Sequence, residues 1–266
     1  MLNRAPMSER AHLMLGDWAE CVRTIPAGTV DMLYVDPPFN TGRKQVGVAG
    51  EYADSFASTD AFIDWLRVRL AATLPALKAS ACVLVHLDYR TSHRARVLLD
   101  ELLGEDRFVN HLIWSYGLGG SSPRTFARKH DDILFYCLNP GLYYFQVPRV
   151  PATSVRMKGQ SKKMTDVLEI ASLNNMALER TGYPTQKPLA LLRLLVEACC
   201  PPDGVVLDGC CGSGTTLVAA VELGRRALGI DRSVKALAVA KRRLGGVGGL
   251  GQNCQGAQAP DCRISG

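Results

Sequence analysis

The chain has 266 residues, 47% of them hydrophobic and 21% charged, enough to bury one substantial core in a single domain. Its nine cysteines stand singly or as the adjacent pairs Cys199-Cys200 and Cys210-Cys211, never as Cys-x-x-Cys, and its five histidines show no helix-face pairing, so no metal site is assigned. A net charge of +6 is moderate; with no apolar run long enough to span a bilayer, and a polar, mixed segment over residues 1–11 that does not read as a signal peptide, the expected protein is cytoplasmic.

A short strand over residues 12–15 is followed by Val30-Asp31-Met32-Leu33-Tyr34-Val35, an apolar and β-branched run that stops at Asp36-Pro37-Pro38-Phe39. Proline has no N–H and a fixed φ, and it pushes the residue before it into extended backbone. The strand must therefore end there, with a carboxylate, unpaired carbonyls and an aromatic ring in one rigid cluster. In open α/β sheets ligands bind at this end of the strands. Taken alone, the tetrapeptide is equally a Pro-Pro turn with a packing phenylalanine. Residues 40–50 hold Gly42, Gly47 and Gly50 and are expected to be a mobile loop that closes as a lid. A helix over 60–78, a strand over 82–87 and a helix over 89–103 come next. Strands over 108–114 and 133–138, with no helix between them, should pair antiparallel at one sheet edge.

Residues 139–183 break the alternation. They contain prolines at 140, 148 and 151 and one short helical patch over 164–173, and they are taken as an inserted target-recognition segment. Arg124, Arg128 and Lys129 cluster ahead of it, and Arg156, Lys158, Lys162 and Lys163 lie within it. Basic clusters in irregular segments suit phosphate contacts. Lys241-Arg242-Arg243, at the end of the last helix, is open to the plainer reading of solvated surface. A helix over 188–200, a strand over 205–207, a helix over 215–223, a strand over 227–230 and a helix over 233–244 complete the pattern. The tail from residue 245 is rich in glycine, glutamine and alanine and is expected to be disordered.

The strand that ends at Asp208 runs into Gly209-Cys210-Cys211-Gly212-Ser213-Gly214, and a helix begins at Thr215. Gly212 and Gly214 let the backbone approach a ligand and offer N–H groups at a helix N-terminus. Asp231, at the end of Ala227-Leu228-Gly229-Ile230, sits where a Rossmann-like unit accepts hydrogen bonds from a ribose. Gly209 to Thr216 nearly fits a phosphate-binding P-loop, but Thr215 stands where that loop needs lysine. A nucleoside-bearing cofactor without a polyphosphate suits the site better.

A DPPF strand end followed by an Asp-x-x-x-Gly-Ser-Gly loop resembles the S-adenosylmethionine-dependent DNA methyltransferases that modify exocyclic amino groups of adenine or cytosine. With the catalytic tetrapeptide ahead of the cofactor loop, the order is similar to their permuted β group. Leu15-Gly16-Asp17, the trio Tyr52, Asp54 and Phe56, Val85-His86-Leu87-Asp88, Leu112-Ile113-Trp114, the run from His130 to Tyr136, and Tyr183-Pro184-Thr185-Gln186-Lys187-Pro188-Leu189 follow in matching order. The resemblance covers most of residues 10–243. One departure is Gly209-Cys210, where the family usually has Pro-Phe. The resemblance implies an α/β, Rossmann-like methyltransferase fold: a mostly parallel seven-stranded sheet with helices on both faces and a circularly permuted motif order. Residues 1–138 would be the catalytic half, 139–183 the target-recognition insertion and 184–244 the cofactor-binding half. It implies S-adenosyl-L-methionine as cofactor and double-stranded DNA as substrate, with a homodimer and a companion restriction nuclease as further options.

In that scheme Asp36 and the Pro37 carbonyl accept hydrogen bonds from the target amino group, Pro38 completes the rigid turn, and Phe39 stacks on the extruded base. Asp208 anchors the cofactor loop. Gly209, Cys210, Gly212, Ser213, Gly214 and Thr215 build it, and Asp231 holds the ribose. The resemblance further implies Asp17 near the adenine and Thr185 and Lys187 near the methionine end. Transfer is direct, so no cysteine serves as a nucleophile. For His86 a structural hydrogen bond is as open a reading as a base contact. Aspartate at the head of the motif leans toward adenine N6; cytosine N4, RNA or protein-amide methylation, and a catalytically silent DNA-binding subunit are the other readings.

Overall fold

The computed structural model describes residues 10–117, 122–152, 156, 158–174 and 176–246. Its strands are β1 (Ala11–Leu15), β2 (Val30–Val35), β3 (Arg43–Gly47), β4 (Gly50–Asp54), β5 (Leu77–Leu87), β6 (Phe108–Ser115), β7 (His130–Cys137), β8 (Arg149–Pro151), β9 (Ser161–Lys163), β10 (Val167–Glu169), β11 (Val205–Asp208) and β12 (Arg226–Asp231). The helices are α1 (Trp18–Cys21), α2 (Thr59–Thr73), α3 (Ser92–Leu103), α4 (Leu189–Cys199), α5 (Thr215–Glu222) and α6 (Val234–Gly246). Eight strands form one sheet in the order β1-β12-β11-β2-β5-β7-β6-β10, parallel throughout except where β7 pairs with β5 and β6.

The central strand β2 is buried at every position because both sheet faces are covered. Leu33 and Val35 point into a cluster with Phe62 and Leu66 of α2 and Leu98 of α3. Met32 and Tyr34 point into the opposite cluster with Leu192 and Leu195 of α4 and Leu217 of α5. This two-sided burial is why the run reads as continuously apolar rather than alternating. No described helix is long and apolar enough to cross a membrane.

Several expectations need correction. The sheet has eight strands, not seven: β10 occupies the patch expected to be helical over 164–173, because Leu168 drops into the core while Val167 pairs in parallel with Ile113. The β6–β7 pair is antiparallel as expected, but β10 covers the edge that β6 would have formed. The helix expected over 60–78 ends at Thr73. Pro75 sits in a following 3-10 turn, and residues 77–81 already belong to β5. The helix expected from residue 89 begins at Ser92, since Asp88 accepts a hydrogen bond from Arg90 N at 2.9 Å and turns the chain first. The glycine-bearing segment expected as a loop over 40–50 contains the β3–β4 hairpin, whose Ala49 N–H bonds to Gly182 O at 3.1 Å. The last helix continues through Gly246, beyond the expected start of the tail, and residues 247–266 lie outside the described residues.

Asp31 ties the sheet together at the end remote from Asp36. Its buried carboxylate accepts two bonds from Lys78 Nζ, both at 2.8 Å, and one from Val205 N at 2.8 Å, so that β2, β5 and β11 share one anchor. Asp31→Ala leaves the Val205 N–H buried without a partner and should cost about 2–3 kcal/mol. Urea unfolding checks this; a loss under ~0.5 kcal/mol would show that the anchor is dispensable.

Candidate active site

β2 and β11 are neighbours, with Tyr34 opposite Asp208. The chain leaving each strand therefore emerges at the same edge, and Asp36 faces the glycine turn. One cavity of about 530 Å³ receives both: Asp36 and Pro38 on one side, Asp208 to Ser213 on the other. Asp17, Thr185, Lys187, Thr215 and Asp231 also line it. Of the residues expected to hold a cofactor, only Gly214 does not. Its φ of 75° caps α5, its N–H bonds to Cys211 O at 2.7 Å, and a Cβ there would lie 2.7 Å from Ala240 Cβ. Gly214 is thus the packing point between the loop and α6.

Asp36 is paired. Lys187 Nζ donates to both carboxylate oxygens, at 2.9 and 2.8 Å, and the same ammonium lies 4.8 Å from the Phe39 ring centroid. Lys187 lines the cavity, and its contacts there are with the DPPF turn. Pro37 and Phe39 stand outside the cavity lining; Phe39 packs toward His86, ring centroids 5.9 Å apart. His86 is wholly buried and takes the structural role left open for it. Tyr34 Oη is hydrogen-bonded to its Nδ1 at 2.8 Å, and Asp131 Oδ2 lies 3.3 Å from its Nε2. Burial, with Asp36, Asp208 and Asp131 nearby, drives the Tyr34 phenol well above its usual range, so this network holds a neutral phenol.

The turn after Phe39 is fixed by a residue seen in the sequence only as a landmark. Asp54, at the end of β4, accepts hydrogen bonds from Asn40 N at 2.7 Å, Thr41 Oγ1 at 2.6 Å and Gln45 Nε2 at 3.2 Å. Asn40 in turn accepts from Phe56 N at 2.9 Å and adopts a φ of 57°. On the other side of the hairpin, Tyr52 Oη bonds Thr185 Oγ1 at 3.0 Å, and Thr185 also has positive φ.

The glycine loop is held from below. Asp231 accepts from Gly212 N at 2.9 Å and Ser233 N at 2.8 Å, so the N–H of Gly212 is used inside the protein. A Cβ at Gly212 would meet Tyr183 at 3.2 Å. Asp208 accepts from Cys210 N at 3.0 Å, yet its burial, opposed by Thr216 and the Cys210 N–H and reinforced by Asp36 and Asp231, pushes its pKa up to about 7. Burial likewise raises that of Asp231. Arg243, open to a surface reading in the sequence, turns inward instead. Its Nη1 donates to Ser213 O at 2.9 Å and to Thr215 Oγ1 at 2.8 Å.

The cavity also has an aromatic wall that the sequence left unassigned. Trp18, Phe56 and Trp65 meet there, with Trp65 6.3 Å from Trp18 and 5.5 Å from Phe56. The Arg69 guanidinium lies 4.1 Å from the Trp65 ring centroid and is ion-paired to Asp17, which also caps α1 through Ala19 N at 2.9 Å. The one available signal was Trp65 and Arg69 at i,i+4 on a helix. A Cβ on Gly209 would lie 2.5 Å from the Trp18 indole, so the departure from Pro-Phe goes with a ring packed on bare backbone.

The basic residues form two groups. Arg124, Arg128 and Lys129 lie in the connection between β6 and β7, where Arg128 stacks on Tyr89 at 4.2 Å. Lys162 and Lys163 lie on β9, paired with β8, and Arg156 and Lys158 in the connection between them. Among the described residues no group of three or more potential metal ligands occurs.

Comparisons with known proteins agree with this geometry. A family model described as "DNA methylase", for N6 and N4 enzymes, matches residues 30–242. The chain is 28% identical over 261 residues to Type II methyltransferase M.ScaI of Streptomyces caespitosus, covering 90% of this chain and 83% of that protein. It is 24% identical to DNA adenine methyltransferase YhdJ of Escherichia coli K12, covering 89% and 83%. The structure of PvuII DNA methyltransferase, titled cytosine-N4-specific, superposes with a TM-score of 0.67 at 14% identity, covering 91% of this chain and 89% of that one. The M1.HpyAVI–SAM complex superposes with a TM-score of 0.64 at 21% identity, covering 88% and 98%. A DPPF strand end and a glycine turn opening into one cavity, in a chain matched by this model over most of its length, place the protein in the N6/N4 DNA methylase family, the S-adenosylmethionine-dependent DNA amino-methyltransferases.

Proposed function

We propose that the protein is a cytoplasmic, site-specific DNA methyltransferase that acts on the amino group of a base turned out of the duplex, with adenine N6 favoured over cytosine N4. The observation that carries this reading is the shared cavity of Asp36 and the glycine loop. Aspartate at the motif head and the likeness to a relative named as an adenine methyltransferase support the lean to adenine. Residues 1–138 serve as the catalytic half, 184–244 as the cofactor half and 139–183 as the target-recognition segment. Double-stranded DNA is the substrate, with a second copy of the chain and a companion restriction nuclease as partners.

The residues fit the cofactor. Four carboxylates, Asp17, Asp36, Asp208 and Asp231, face a space walled by Trp18, Phe56 and Tyr183, a setting for a cationic amino acid joined to a nucleoside. Bound there, S-adenosylmethionine supplies an electrophilic methyl on sulfur. The rest is done by the chain. An exocyclic amino nitrogen is a poor nucleophile because its lone pair is delocalised into the ring. Asp36 accepts an N–H from it, and the Pro37 carbonyl can accept another, which favours a pyramidal nitrogen and offsets the positive charge that develops there. Two oxygens offer about four lone-pair sites, so Asp36 can keep Lys187 while it accepts from the base. Lys187 sets the carboxylate's orientation, and Phe39 offers a face for stacking.

Incubation with labelled cofactor and unmethylated DNA, followed by mass resolution of the nucleosides, should yield N6-methyldeoxyadenosine. N4-methyldeoxycytidine would move the assignment to cytosine, and methylation only of RNA in a parallel incubation would remove DNA as substrate. Asp36→Ala should lower turnover by about 10²–10³ or more with cofactor affinity within a few-fold, as expected when a transition-state acceptor is lost. Lys187→Met distinguishes two roles: action through Asp36 predicts a kcat loss of about tenfold with cofactor Kd nearly unchanged, whereas contact with the methionine end would put the loss into Kd.

The raised pKa of Asp208 gives a pH signature with a definite sign. An acid at about 7 in the folded protein and about 4 unfolded binds protons more tightly when folded. Its ionised form therefore destabilises the empty protein progressively from pH 4 to 7. Asp208→Asn should leave Tm little changed near pH 4 and raise it by several degrees at pH 8. A difference independent of pH would show that the carboxylate is not protonated there.

A further inference from the structure

Phe126 has no role in the chemistry above, and its ring is 99% exposed, whereas the other exposed aromatics, Tyr89 and Phe145, are 41% and 42% exposed. Its place is specific. It lies in the connection from β6 to β7, close to the Ser122–Thr125 bridge that turns the chain. β7 runs antiparallel to β5, and β5 runs parallel to β2. The start of β7 is therefore at the same sheet edge as the Asp36 turn, two strand spacings away, or about 10 Å. The connection is held near that edge: Tyr116 N bonds Lys129 O at 3.0 Å, Tyr116 Oη donates to Asp131 at 3.3 Å, and Arg128 stacks on Tyr89, just past the end of β5.

An apolar ring in water, flanked by Arg124, Arg128 and Lys129 on a braced turn, has the charge pattern of a surface that meets phosphates on both sides of an apolar target. Bases are the apolar part of a duplex, and they become accessible only where the stack opens. A base turned into the cavity leaves such an opening.

We propose that Phe126 enters the base stack as the target base leaves it, with Arg124 and Arg128 on the adjoining phosphates. The inference rests on the DNA-methylating function argued above and assigns one residue to the extrusion step. Phe126 is a positioning residue: it touches neither cofactor nor the reacting nitrogen.

The test compares wild type, Phe126→Ala and Phe126→Trp on a synthetic duplex carrying a site that the wild type methylates in unmethylated phage DNA, and on the same duplex with the target base mispaired. Phe126→Ala should lose about tenfold in kcat/KM on the paired duplex and under about threefold on the mispaired one, where the base is already loosened. Phe126→Trp should keep activity, and cofactor Kd should not change. The difference in tryptophan emission between Phe126→Trp and wild type should be quenched by duplex, a reading that needs no turnover. Equal losses on both duplexes, no loss on either, or no quenching would overturn the proposal. A changed molecular mass of Phe126→Ala in sedimentation would overturn it too, by making the ring a contact between copies of the chain. Failure of the wild type to methylate any DNA, with quenching intact, would strike the parent function and not the wedge.

Discussion

The parallel pairing of β2 with β11 is the contact on which the site depends. It joins strands from opposite halves of the chain, and its register sets Leu33 against Leu207 and Tyr34 against Asp208. Both strands are buried on both faces. A slip of one residue would move every side chain to the wrong cluster, so hydrophobic packing specifies the register tightly. Asp31 locks the opposite end of the same pair through Val205 N. Once that pairing is made, the Pro-Pro turn and the glycine turn cannot avoid one another.

The consequence is a concentration of carboxylates. Asp36, Asp208 and Asp231 all face one cavity, and each disfavours ionisation of Asp208 or is disfavoured by burial itself. The protein offsets this with the Lys187 ammonium at Asp36 and backbone N–H groups at Asp208 and Asp231. The carboxylates of Asp208 and Asp231, which hold the loop in shape, favour a cationic group beside it and disfavour the polyphosphate that the loop's glycines alone would suit.

What was legible in the sequence were features whose cause is local. Two prolines end a strand wherever they occur, and a glycine run ahead of Thr215 starts a helix by its own backbone freedom. β10 was missed because only Leu168 of its three residues is buried; Val167 and Glu169 face out, and nothing short of the neighbouring Ile113–Ser115 backbone marks them as a strand. The partners of Lys187 and Arg243 were missed for a related reason. A basic residue carries no local sign of whether it turns inward, and both find their acceptors across long sequence separations, at Asp36 and at Ser213. Gly209 shows the same limit from the other side. Its departure from the family pattern was visible, but its cause, the Trp18 indole lying where a side chain would be, belongs to the fold.

Charge is divided in space as well as in number. The chain carries an excess of six positive charges, and the cavity sets four carboxylates, Asp17, Asp36, Asp208 and Asp231, among three cations, Arg69, Lys187 and Arg232. Arg124 and Arg128 stand on the connection between β6 and β7, and Lys163 stands on β9, all exposed to solvent. On the function proposed above, a duplex would meet these exposed cations through its phosphates, and the carboxylates of Asp36, Asp208 and Asp231 would disfavour a phosphate inside the cavity. A neutral base would carry no such penalty. On that reading the charge pattern discriminates between the parts of the polymer: it disfavours phosphate in the cavity and leaves the cost of unstacking the base to be offset by contacts inside.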